Sequence, residues 1–173
     1  VKALVVAWLA HVVQGKKSPD ANLAWLLVLG TIPAGLAGVL LQDMVEQYAR
    51  ALPVIAVSSV VFAILLLVSQ KRSKNSLTLA SLNWQQALLI GIGRGLALIP
   101  GTSRSGVTMT AALFCHMNKH DASKFSFLLS MPIIFASGAL KGVQLLQSDL
   151  VTFDWFQLIY GIALSGLVAW ACI

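Results

Sequence analysis

Hydrophobic residues fall along this chain in long blocks with short polar breaks between them. Leu23 to Leu41 runs 19 residues without a charge. Leu52 to Ser69, Phe125 to Leu146 and Trp155 to Ile173 are blocks of similar length. A helix needs about 20 such residues to cross a bilayer, so four full spans are expected. The first block holds Gly30, Pro33, Gly35 and Gly38. Small residues at this spacing let a neighbouring helix come close, and a proline is tolerated inside a membrane helix. Pro132 lies inside the third block, with Lys141 near its end. Ala3 to Val13 is too short to span and reads as an interfacial helix or part of a longer one, with His11 at the interface. Two other apolar stretches are also short. Trp84 to Ile99 contains Gly91, Gly93, Arg94 and Gly95, and Val107 to Met117 has 11 residues.

The polar breaks carry the orientation. Gln14 to Asn22 holds Lys16 and Lys17, and Gln70 to Asn83 holds Lys71, Arg72 and Lys74. Gln42 to Ala51, between them, sets Arg50 against Asp43 and Glu46. Lysine and arginine mark the cytoplasmic side, so the first and third breaks are expected there. Asn118 to Lys124 is basic, with Lys119 and Lys124, whereas Gln147 to Asp154 carries Asp149 and Asp154. Two full crossings at 84–99 and 107–117 would put residues 100–106 outside, but both stretches are too short for that. A re-entrant helix hairpin over 84–117 dips in and returns to the same side. It leaves the basic loops on one face and the acidic loop on the other, with the tip near mid-membrane. Irregular backbone at that depth must face protein or a water-filled cavity. Trp25, Trp84, Trp155 and Trp170 fall near segment ends, as indole rings at the interface do.

Composition agrees with this picture. The 173 residues are 58% hydrophobic and 10% charged, with mean hydropathy +0.84. Soluble domains carry about 25% charged residues. The expected fold is therefore an all-α, polytopic membrane protein, with residues 1–173 forming one membrane domain. The net charge of +6 sits in short loops. It reads as membrane orientation and contact with anionic headgroups, and it gives no nucleic-acid face. Cys115 and Cys172 both lie in apolar stretches and form no CxxC pair. Val1 is not a start methionine and Ile173 ends inside an apolar run, so the chain is expected to be part of a longer one.

The strongest chemical signal is Pro-Gly-Thr-Ser-Arg-Ser-Gly at residues 100–106. An arginine in a bilayer core costs roughly 2.5–3.5 kcal/mol or more, so it is retained there for a function. Arg104 stands among three hydroxyls, two glycines and a proline. Pro100 ends a half-helix, and Gly101 permits an unusual backbone angle. A new helix is expected from about Val107, and its first turn presents unpaired N–H groups and partial positive charge. Such an end binds anions. Arg104 can add a bidentate pair to a phosphate, and Ser103, Ser105 and Thr108 can donate further bonds. The competing structural reading has the hydroxyls capping the half-helix while Arg104 snorkels or meets a carbonyl. The spacing supports an anion but leaves open whether it is cleaved, carried or sensed.

Other candidates are weaker. His116 and His120 stand at i, i+4, a spacing that can hold a metal on one helix face. With only Asp121 nearby and Asn118 breaking the helix between them, a basic interfacial loop is favoured, and no metal ligand is assigned. Asn118 and Asp121 look like a cap and an acidic first-turn residue for the next helix. Asp43 and Glu46 fit a solvated helix end. Lys141 can snorkel to headgroups.

The run Leu96-Ala-Leu-Ile-Pro-Gly-Thr-Ser-Arg-Ser-Gly-Val-Thr108, followed by Phe125-Ser-Phe-Leu-Leu-Ser-Met-Pro132, resembles the second half of the undecaprenyl-diphosphatases, the bacitracin-resistance membrane phosphatases. Gly30-Thr-Ile-Pro-Ala-Gly35 fits that family's middle helix. The resemblance implies that the re-entrant hairpin is half of an inverted repeat. It also implies hydrolysis of undecaprenyl diphosphate to undecaprenyl phosphate and inorganic phosphate, on the outer side of the bacterial cytoplasmic membrane. That reaction recycles the lipid carrier for cell-wall synthesis. Ser103, Arg104 and Thr108 then fall at catalytic positions. Gly101, Thr102, Ser105 and Gly106 are expected to bind the substrate beside them, while Arg94 either helps bind the diphosphate, marks an unusual pocket or disturbs the hairpin as an interior charge. A divalent cation, Mg²⁺ or Ca²⁺, is implied as well, with no ligand in this chain. Two departures stand out. The family's Glu-x-x-x-Glu motif is absent, since Glu46 is the only glutamate, which implies a missing N-terminal third and a missing final helix. Arg94 stands where the family usually has glutamine. The partners implied are a polyprenyl diphosphate lipid and the membrane, with a homodimer left open. A polyprenyl-phosphate transporter or flippase, whose broken helices also meet at mid-membrane, and a non-catalytic fragment are the competing readings.

Overall fold

The computed structural model describes residues 2–14, 18–48, 51–147 and 155–172. Among them, α-helices follow one another as α1 (Lys2–Gln14), α2 (Pro19–Tyr48), α3 (Leu52–Arg72), α4 (Trp84–Gly95), α5 (Arg104–Phe114), α6 (Lys119–Gln147) and α7 (Trp155–Cys172). Single 3₁₀ turns cover Leu79–Ser81 and Leu96–Leu98. Three helices contain stretches long and apolar enough to cross a membrane: Pro19–Leu41, Leu52–Arg72 and Lys119–Leu140. The protein is an all-α, multi-pass membrane protein.

Several boundaries differ from the sequence reading. The expected loop over Gln42–Ala51 is helical as far as Tyr48, because no glycine or proline interrupts residues 42–48. Asp43 and Glu46 belong to that helical end. α6 begins six residues before Phe125, because the Asn118 side chain accepts the Asp121 N–H at 2.8 Å and its carbonyl accepts the Ala122 N–H at 2.9 Å. The fourth expected span, Trp155–Ile173, is helical over Trp155–Cys172, with an apolar stretch described at Ile159–Cys172. Lys16, Lys17, Arg50, Asp149 and Asp154 lie outside the described residues, as does the side chain of Lys141.

The chain divides into two units, residues 1–137 and 138–173. The second contains the end of α6 and α7, whose described side chains are exposed. In the first, Leu27 of α2, Ile90 of α4, Leu113 of α5 and Phe125 and Leu129 of α6 are buried together. Around this core the polarity is reversed from that of a soluble protein. The buried residues of α3 are Ser58 and Ser69, while Val57, Val60, Ile64 and Leu67 are exposed. A helix arranged this way gives its apolar face to lipid and its few hydroxyls to protein.

α4 and α5 pack on each other, with α2 against α4 and α3 against α5. The approach of α2 to α4 is closest at Gly30 and Gly91, where a Cβ on Gly91 would strike the Gly30 backbone. Gly35 and Gly38 meet no neighbour within 4 Å of where a Cβ would stand. The hairpin is closed at its base. The Leu77 N–H donates to the His116 carbonyl at 3.0 Å, and the Asn118 N–H donates to the Leu77 carbonyl at 3.0 Å. Ser73 Oγ donates to the Met117 carbonyl at 3.1 Å, and the Leu79 N–H donates to Asp121 Oδ2 at 2.9 Å. The chain therefore leaves this hairpin where it entered it, beside the Arg72 end of α3.

Candidate functional site

The tip between α4 and α5 is a tight turn. The Thr102 N–H donates to the Ile99 carbonyl at 3.2 Å, Pro100 occupies the second position, and Gly101 the third with φ +90°. These are the marks of a type II β-turn, whose third residue needs positive φ. A Cβ on Gly101 would lie 2.5 Å from the Ile55 carbonyl oxygen and 2.6 Å from Ser58 Oγ. Gly101→Ala meets both the left-handed backbone penalty of roughly 1–2 kcal/mol and this clash. A fall in thermal midpoint of several degrees is expected for that variant in detergent. An unchanged midpoint would contradict the turn.

α5 starts at Arg104, three residues earlier than expected, because Ser103 caps it. Ser103 has φ −72° and ψ 119°, and its Oγ accepts the Gly106 N–H at 3.2 Å. Arg104, Ser105 and Gly106 thus form the first helical turn rather than a loop. The N–H groups of Arg104 and Ser105 have no acceptor among the described residues. That is the usual condition of a helix start. Ser105 Oγ lies 3.3 Å from Ser103 Oγ, and both residues are exposed. Arg104 is exposed too, and its guanidinium makes no hydrogen bond or ion pair among the described residues. The alternative in which it meets a carbonyl is therefore not the arrangement seen. Thr102 Oγ1 is committed, donating to the Ile99 carbonyl at 2.7 Å.

Thr108 and Arg94 behave differently. Thr108 is 0% exposed and lies in the second turn, not the first. Its hydroxyl proton goes to the Arg104 carbonyl at 2.8 Å, so a lone pair, not the proton, is left for a neighbouring group. Arg94 is 6% exposed, and Nη1 donates to Thr108 Oγ1 at 3.4 Å. That is a long bond for a guanidinium with five donors. The pair brings Arg94 on α4 close to the start of α5, so two cations approach one another with no described carboxylate between them.

Sequence reasoning did not reach Ser58, Ser59 and Ser126. Ser58 Oγ donates to the Pro100 carbonyl at 2.6 Å, Ser59 Oγ to the Gly101 carbonyl at 2.9 Å, and Ser126 Oγ to the Ser105 carbonyl at 3.3 Å. The available signal was a serine pair inside an otherwise apolar span for Ser58 and Ser59, and a place in the Phe125–Pro132 run for Ser126.

The described carboxylates stand elsewhere. Asp121 is at the hairpin base, and Asp20 lines a cavity of about 770 Å³ with Leu79 and Lys124 at that same end. The side chains of Asp43 and Glu46 lie outside the described residues. The described groups around the tip are guanidinium, hydroxyl, N–H and carbonyls, of which those of Ile99, Pro100, Gly101, Arg104 and Ser105 already accept hydroxyl protons. A divalent cation prefers oxygen ligands with negative charge, so this donor set does not fit one and no step is routed through it. His116 has φ 63° outside any helix while His120 is in the first turn of α6, so their spacing does not put them on one helix face.

Comparison with known proteins bears on this geometry. The whole chain, residues 1–173, matches the family described as bacitracin resistance protein BacA. The chain belongs to that family. It is 44% identical over 173 residues to undecaprenyl-diphosphatase 1 of Pseudoalteromonas translucida, covering all of this chain and 65% of that protein. It is 42% identical over 166 residues to an undecaprenyl-diphosphatase of Chromohalobacter salexigens, covering 96% of this chain and 62% of that one. The chain therefore spans just under two thirds of the length of these BacA-family relatives.

Proposed function

We propose that the full-length protein hydrolyses undecaprenyl diphosphate to undecaprenyl phosphate and inorganic phosphate in the bacterial cytoplasmic membrane. In this reading the hairpin described here re-enters the bilayer and supplies the phosphate-gripping part of the site. One observation carries it. Arg104 stands free in the first turn of α5, beside unpaired N–H groups, at the tip of a hairpin that starts and ends at one end of α3. The names of the two relatives support the lipid substrate and favour hydrolysis over transport.

The depth of the tip is consistent with a lipid diphosphate. α3 is about 31 Å long at 1.5 Å per residue, close to the ~30 Å hydrocarbon core. On the same scale Ser58, which touches the tip, lies about 21 Å from the Arg72 end and about 9 Å from the Leu52 end. Lys71, Arg72 and Lys74 mark the first of these ends as cytoplasmic. The tip then sits past the midplane towards the outer side, within reach of a headgroup entering from that face.

In the reaction, water attacks the terminal phosphorus and the P–O bond to the bridging oxygen breaks. The lipid leaves as its monophosphate. Phosphoryl transfer depends on positioning and on stabilising charge over the equatorial oxygens. The Arg104 fork and the N–H groups of Arg104 and Ser105 meet those oxygens, and Ser103 and Ser105 add hydroxyls. Arg94 adds positive charge from beneath Thr108. The groups described here do not include a base for the water. The test is phosphate release from undecaprenyl diphosphate by the purified full-length protein. The expected products are one phosphate per lipid and the lipid monophosphate. A protein that moves the lipid across a vesicle without releasing phosphate would overturn the reading.

A further inference from the structure

The turn that shapes the site is held by a helix carrying none of the motif. Resting on the anion-site reading above, we propose that Ser58, supported by Ser59, is a positioning residue that sets the orientation of the Pro100–Gly101 peptide and so the polarity of the anion site. Types I and II turns differ by rotation of their central peptide, with little change elsewhere. Here that peptide joins Pro100 to Gly101, and its only acceptor is the Pro100 carbonyl. Ser58 Oγ holds that oxygen at 2.6 Å, and Ser59 Oγ holds the next carbonyl, that of Gly101, at 2.9 Å. Both carbonyls are thus pinned towards α3. If the central peptide flipped, the Pro100 oxygen would leave α3 and its dipole at the tip would reverse. A carbonyl oxygen turned towards a phosphate meets it with the wrong sign of charge.

The serines suit this role better than packing alone explains. Each hydroxyl has one proton and two acceptors, because the Ile55 carbonyl lies 3.0 Å from Ser58 Oγ and 2.7 Å from Ser59 Oγ. A serine in an apolar helix usually spends its proton on its own preceding turn. These two sit where the proton is shared with a turn 42 residues further along the chain. Ser58 is buried and Pro100 half-buried, so losing the Ser58 hydroxyl leaves the Pro100 carbonyl without this partner, at some cost. Flipping the peptide is the relief open to it, since Gly101 tolerates either sign of φ.

The test compares Ser58→Thr with Ser58→Val in the full-length protein in detergent. The two side chains have nearly the same shape, and only threonine keeps the hydroxyl. Binding of inorganic diphosphate is read by titration calorimetry, and phosphate release from undecaprenyl diphosphate is read alongside. Threonine is expected to stay within about twofold of the wild type. Valine is expected to bind about tenfold more weakly and turn over about tenfold more slowly, less than the 10²–10³ lost with a direct oxyanion donor. The thermal midpoint of the valine variant should fall no more than a few degrees below that of the threonine variant, the cost of one weakened hydrogen bond. Equal binding by Thr and Val variants overturns the positioning role, whether or not the lipid is hydrolysed. Wild-type protein that binds diphosphate but releases no phosphate overturns the hydrolysis reading and leaves this one standing. Wild-type protein that binds no diphosphate overturns both.

Discussion

Arg104→Ala in the full-length protein is expected to lower phosphate release about a thousandfold, in line with the loss of a cationic transition-state group. The thermal midpoint should hardly move. The asymmetry follows from where the side chain stands. Arg104 is exposed, and its guanidinium has no hydrogen-bond or ion-pair partner among the described residues, so truncation breaks no contact of the fold. Its backbone remains in place, with its carbonyl still taking the Thr108 hydroxyl. Arg104→Lys keeps the charge but replaces a planar fork by a point charge, so it should recover only part of the rate, roughly ten- to a hundredfold below wild type. If alanine and wild type release phosphate equally fast, Arg104 has no role in the chemistry. If alanine lowers the midpoint by many degrees, Arg104 is structural. Rates at saturating lipid separate loss of binding from loss of turnover.

The same arginine lies in a stretch whose outline is plain in the sequence and whose detail depends on packing. Membrane spans at α2, α3 and α6 were legible because crossing a bilayer demands about 20 apolar residues, and a block of that length is plain in any sequence. The two short helices around the motif were legible for the complementary reason, being too short to cross. What failed was finer. α5 was placed from the first apolar residue, Val107, whereas a helix begins at its cap. The sequence offers the motif hydroxyls as caps only in the competing reading, and the structure makes Ser103 the cap. That shift of three residues moved Arg104 and Ser105 into the first turn and pushed Thr108 into the second, where it is buried. Gln42 to Tyr48 was read as loop because charge replaced apolar residues there, but polarity alone does not stop a helix. Ser58, Ser59 and Ser126 were out of reach for a different reason. Their partners lie 21 to 42 residues away in sequence, and only tertiary packing brings them to the turn.

Arg94→Met is expected to move stability and binding in opposite directions. A buried guanidinium that makes one 3.4 Å bond and lies near a second cation is held at a cost. Methionine fills similar space without charge and adapts to irregular gaps. Replacing a poorly compensated buried charge by an apolar group should therefore stabilise the fold by about 1–3 kcal/mol. Thr108 loses nothing essential, because its own proton stays with the Arg104 carbonyl. Binding of inorganic diphosphate should weaken about tenfold, since a positive charge lying beneath Thr108, close to the start of α5, is removed. Arg94→Gln, which keeps a donor towards Thr108, should bind better than methionine and worse than arginine. The opposite pattern is equally sharp. If Arg94 serves mainly to tie α4 to α5 through Thr108, methionine will lower the thermal midpoint and leave diphosphate affinity unchanged. Measuring both quantities on one preparation decides between a cation kept for its ligand and a cation kept for the fold. The first outcome makes Arg94 and Arg104 two cations of one site, placed by the two arms of the hairpin, whose mutual repulsion a bound anion relieves.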